Sequence, residues 1–79
     1  MQPEEIKTLL QHHLPTARII IEGEDGQHFT AMVISPDFRG KTRVEQQQMI
    51  YAALGSHITS GKIHALSLKT YTPEEYQQR

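Results

Sequence analysis

Five histidines and no cysteine set the metal and acid–base chemistry open to this 79-residue chain. His64 opens a run, Ile-His-Ala-Leu-Ser-Leu-Lys-Thr-Tyr-Thr-Pro over residues 63–73, and stands at the mouth of an expected strand. His28 follows directly after the turn signal Gly23-Glu24-Asp25-Gly26. An imidazole at either place can carry a proton or offer a nitrogen to a metal. The plain alternative is a surface or strand-end histidine, and strict alternation puts His64 on the same side as Leu66 and Leu68. Arg39, Lys41 and Arg43 crowd around Gly40, with Lys62 and Lys69 further along. Such cations meet phosphate, or simply solvate a loop. Glu22, Glu24 and Asp25 beside His28 suggest a metal or acid–base site, but hairpin turns collect Asp and Gly for conformational reasons, which is the better reading. His12 and His13 suit the last turn of a helix, where a cation is favoured. No nucleophile–base–orienter set, phosphate loop or diagnostic carboxylate pair is present, so the expectation is a binding protein, not an enzyme.

The elements that must position these residues can be read in order. Pro3-Glu4-Glu5 opens a first helix with acids in its first turn, Ile6, Leu9, Leu10 and His13 share one face, and Pro15 ends it. Ala17 to Glu22 is short and β-branched, hence a strand. Gln27 to Ile34 is a second strand, forming an antiparallel hairpin with the first. Phe29, Ala31 and Val33 alternate away from His28, and Pro36 stops the strand. Thr42-Arg43-Val44-Glu45 is a capping box that starts a second helix. Its expected apolar stripe is Val44, Gln47, Ile50, Tyr51, Leu54 and Ile58, weakened by Gly55 and closed by Ser60-Gly61. A third strand spans 63–71, and Thr72-Pro73-Glu74-Glu75 caps a short final helix.

The order α-β-β-α-β-α predicts an α+β fold. Strand, helix, strand calls for a crossover, so the last strand should run parallel to a neighbour in a three-stranded mixed sheet with helices on one face. The length suits one domain over residues 1–79. A hydrophobic fraction of 37% requires strongly amphipathic helices. A formal net charge of −1 argues against a dedicated nucleic-acid binder. No apolar run reaches membrane-spanning length, and Met-Gln-Pro-Glu-Glu is unlike a signal peptide, so a cytoplasmic location is expected.

Phe-x-Gly at 38–40, Tyr51 with Leu54, and the His-Ala to Tyr-Thr run from 64 to 72 resemble the BolA family, and the resemblance covers essentially the whole chain. It implies a class II KH-like fold, in agreement with the element order. Many members carry Arg-His-Arg where this chain has Gln46-Gln47-Gln48. The chain is closer to a small bacterial branch associated with acid resistance, and it lacks the basic stripe that a transcription factor would use.

The resemblance implies a partner, a monothiol glutaredoxin, and a 2Fe–2S cluster shared with it and with glutathione. The position before the last strand falls on His64 and the hairpin position on His28, which become the implied cluster ligands. Imidazoles can replace two thiolates in such clusters; in a chain without cysteine, the thiolates would come from glutaredoxin and glutathione. Tyr71 and Tyr76 then become candidates for the partner interface near His64, with core or cap packing as the alternative. A KH-like regulator is the second reading. It would contact nucleic acid through Arg39, Lys41, Arg43, Lys62 and Lys69, although the Gly-x-x-Gly clamp of a KH module is absent. The expectation for the free protein is a monomer or weak dimer.

Overall fold

The computed structural model describes residues 2–23, 28–59 and 65–78. Helix α1 covers Pro3–His13 and strand β1 covers Arg18–Glu22. Strand β2 is His28–Ile34, and a single 3-10 turn at Pro36–Phe38 leads to helix α2 at Arg43–Leu54. A short helix α3 at Ser56–Thr59, strand β3 at Ala65–Tyr71 and helix α4 at Pro73–Gln77 complete the order. The sheet order is β1-β2-β3, antiparallel for the first pair and parallel for the second. This is the mixed α+β sheet that the element order implies.

Local chemistry fixes the element ends. The backbone N–H of Gln2 donates to Glu5 Oε1 at 2.9 Å, ahead of Pro3 in the first turn. Leu14 N–H closes the helix on Leu10 O at 2.8 Å, and Gln11 Nε2 holds the following turn through the carbonyls of Leu14, Pro15 and Ala17. Thr42 and Thr72 are N-caps with reciprocal bonds to Glu45 and Glu75, so both expected capping boxes form. Each cap satisfies two of the orphan N–H groups at a helix start. Gly55 ends α2 with a φ of 45°, a backbone conformation that a Cβ disfavours.

One sheet face is the core. Phe29, Ala31 and Val33 of β2 are buried there, as is Ile19 of β1, against Ile6 and Leu10 of α1, Ile50 and Leu54 of α2, and Phe38. Burying each of the larger side chains among these contributes about 1.5–3 kcal/mol. Because the side-chain period of a strand is two, the register sets a second face carrying Ile20, His28, Thr30, Met32, Ser67 and Lys69. Helices α1 and α2 lie on the core face. Tyr76 of α4 reaches the other face, where it meets Tyr71 and Arg18.

The apolar stripe of α2 differs from the expected one. Val44 is 62% and Tyr51 43% exposed, while the buried positions are Gln46, Ile50 and Leu54. The helix is rotated so that a glutamine, not a valine, enters the core. The reason is polar: Gln46 is fully satisfied inside, and apolar periodicity does not register a satisfied amide.

Candidate functional site

The parallel β2–β3 ladder sets His28 against Ala65, Phe29 against Leu66 and Thr30 against Ser67. His28 is exposed, at the start of the central strand and on the face away from α1 and α2. Ala65 is the first residue of β3, and His64 immediately precedes it in the chain. His64 and Lys62 lie outside the described residues. Among the described residues no group of three or more His, Asp or Glu side chains could hold a metal ion.

A second assembly occupies the other end of β3. Arg39 Nη2 and Glu74 Oε1 are 2.6 Å apart, and Arg43 Nη2 lies 3.3 Å from Glu75 Oε2. Arg43 Nη1 also donates to the Thr70 carbonyl and, at 3.2 Å, to Gln46 Oε1. The Thr70 hydroxyl donates to the same Gln46 oxygen at 2.7 Å, and Gln46 Nε2 donates to the carbonyls of Phe38 and Lys41 at 3.2 and 3.0 Å. One buried side chain thus ties the loop before α2 to the last strand. Composition alone hid this, although Gln46 stands four and eight residues before the core positions Ile50 and Leu54.

The electrostatics follow from these contacts. The Arg39 guanidinium lowers the Glu74 carboxyl below its ordinary value of 4.5. Backbone N–H donation from Thr72 lowers Glu75, and donation from Thr42 lowers Glu45. Arg39 and Arg43 are therefore engaged with α4, and the charge of the basic loop is largely balanced locally. Lys41 is exposed, and Lys69 is exposed on the face opposite the core beside Met32.

Tyr71 and Tyr76 pack on each other, ring centroids 6.1 Å apart, with Arg43 over Tyr71 at 5.9 Å and Arg18 over Tyr76 at 5.8 Å. From Ala65 to Tyr71 the strand rises ~3.3 Å per residue, roughly 20 Å in all. The tyrosines and the head of β3 are at opposite ends of the sheet. His13 Nδ1 lies 3.0 Å from Leu9 O in the last turn of α1.

Comparison with known families matches residues 5–75 to the BolA-like protein family. The chain belongs to that family. This BolA-like chain is 37% identical to the acid stress protein IbaG of Escherichia coli over 96% of its own length and 89% of the relative's. A BolA homologue from Coxiella burnetii superposes with a TM-score of 0.84 at 47% identity, over 98% of this chain and 97% of that one. The BolA domain of SufE1 from Arabidopsis thaliana gives 0.81 at 30% identity, over 92% and 93%. The fold and the family are thereby established together.

Proposed function

We propose that this BolA-like protein is a binding partner of a monothiol glutaredoxin, co-ligating a 2Fe–2S cluster in iron–sulfur trafficking, iron homeostasis or a stress response. His64 and His28 are its ligands, and glutaredoxin and glutathione supply the thiolates. The observation that carries this reading is the register that pairs His28 with Ala65, the residue next to His64 in the chain. The absence of cysteine fits a shared site, since imidazoles can take two of the four positions and raise the cluster's potential. Likeness to an acid stress protein accords with a stress role.

Nucleic-acid contact through Arg39, Lys41, Arg43, Lys62 and Lys69 draws less support. The pairing of Arg39 with Glu74 and of Arg43 with Glu75 leaves less free positive charge for phosphate. The two readings separate in one experiment. The protein is mixed with a monothiol glutaredoxin, iron, sulfide and glutathione, and in parallel with DNA or RNA at several salt concentrations. The cluster reading expects a coloured heterocomplex lost in His64→Ala. Its absence, with salt-dependent nucleic-acid binding lost on changing Arg39, Lys41 and Arg43, would overturn it.

A further inference from the structure

Strand β1 forms one edge of the sheet, with β2 beside it and, among the described residues, no strand beyond. An edge presents unpaired N–H and C=O groups, and proteins usually guard it with proline, inward charge or a short bulged strand. Here the edge reads Arg18-Ile19-Ile20-Ile21-Glu22, three isoleucines with opposite charges at the ends. Ile20 is 37% exposed. Between this edge and the start of α1 runs an open groove of about 250 Å³, lined by Pro3, Glu4, Lys7 and Ile19 to Ile21.

The sequence of this edge is self-complementary. Laid antiparallel about a two-fold axis at Ile20, it sets Arg18 of one copy opposite Glu22 of the other, twice. Directly opposed residues share a face, so both Ile20 side chains meet on the side away from α1. The partner's Ile21 falls beside Ile19 on the α1 side, where the groove has room for it. Symmetric dimers require such a self-matching patch, in which residue i meets j and j meets i.

We infer that β1 is a homodimerisation edge, its occupant the β1 strand of a second copy of this chain, paired antiparallel with Arg18–Glu22 contacts at both ends. A five-residue strand buries less than a standard-size interface. The dimer is accordingly weak and concentration-dependent. It uses the edge opposite β3, so it stands or fails independently of the histidine ligands.

The test is sedimentation equilibrium of the full chain up to about 1 mM. Wild type rises from the mass of one chain toward two. Arg18→Glu and Glu22→Arg, each alone, oppose like charges at both ends and dimerise about tenfold more weakly. Mixed together they restore association, because each pair is again of opposite charge. Ile20→Lys places two ammonium groups on the axis and abolishes the dimer, while circular dichroism reports whether each variant remains folded. A wild type that stays monomeric, or a dimer unchanged by the single charge reversals, overturns the proposal. So does a mixture that associates no better than its components.

Discussion

His28 and Ala65 are register partners across the parallel β2–β3 ladder, so the heads of two strands 37 positions apart in the chain are adjacent in the sheet. That adjacency comes from the β2–α2–β3 crossover, and the buried residues of α2 set how the crossover packs. Gln46 is the hinge of this packing, since its side-chain amide joins the loop carbonyls of Phe38 and Lys41 to the Thr70 hydroxyl.

Replacing Gln46 by leucine should destabilise the protein despite the gain in apolarity. The change strips the carbonyls of Phe38 and Lys41 and the Thr70 hydroxyl of their buried partner. The expected cost is about 2 kcal/mol or more, a fall in Tm of roughly 10 °C. Thr70→Val in the same chain should recover part of it, with a coupling of about 1 kcal/mol in a double-mutant cycle. A leucine variant as stable as wild type would show that the network contributes nothing net.

Thr42→Ala removes the side-chain acceptor for Glu45 N–H, which lies 3.1 Å from the hydroxyl. The expected loss is about 1 kcal/mol, read as a shift of the urea midpoint without a change in slope. Thr72→Ala acts on a five-residue helix and should be seen first as faster amide exchange in α4, with a smaller global effect.

Glycine positions should divide by mechanism. Gly40 has a φ of 77° with open space around it, so Gly40→Ala meets backbone strain alone, about 1–2 kcal/mol. A Cβ at Gly23 would overlap the Phe29 ring, so Gly23→Ala must move a buried aromatic side chain. Thermal melts should rank Gly23→Ala the worse of the two; the reverse order would contradict the close approach of strand end and ring.

Acid should weaken the fold in a defined window. Glu45, Glu74 and Glu75 have carboxyls lowered below 4.5 in the folded chain. The unfolded chain then binds more protons as pH falls through this range, so the stabilisation is full above about pH 4.5 and lost as pH drops through the folded values. A variant with glutamine at all three positions should show a shallower acid limb in urea titrations between about pH 6 and about pH 3. An unchanged limb would assign acid sensitivity to other groups.

Much of this architecture was legible in local sequence. Caps at Thr42 and Thr72, the stops at Pro15 and Pro36, and the alternation of Phe29, Ala31 and Val33 are written within a few residues of each feature. The buried face of α2 was not, because its decisive residue is polar and its partners lie in the loop before it and in β3. The placement of the tyrosines was hidden for a related reason. Ala65 and Tyr71 are close in sequence, but an extended strand converts that short separation into the length of β3. Likewise the Arg39–Glu74 pair joins residues 35 positions apart, beyond any local signal.

His28 at the head of β2 and His64, next to Ala65 in the chain, are proposed to complete a cluster with thiolates from another protein. The direct measurement is visible absorption and circular dichroism of this protein reconstituted with a monothiol glutaredoxin, iron, sulfide and glutathione. Wild type should give a spectrum distinct from that of the glutaredoxin homodimer. His64→Ala should abolish it, and His28→Ala should alter it while the protein stays folded. A spectrum that never departs from glutaredoxin alone, or one indifferent to both substitutions, would contradict the account.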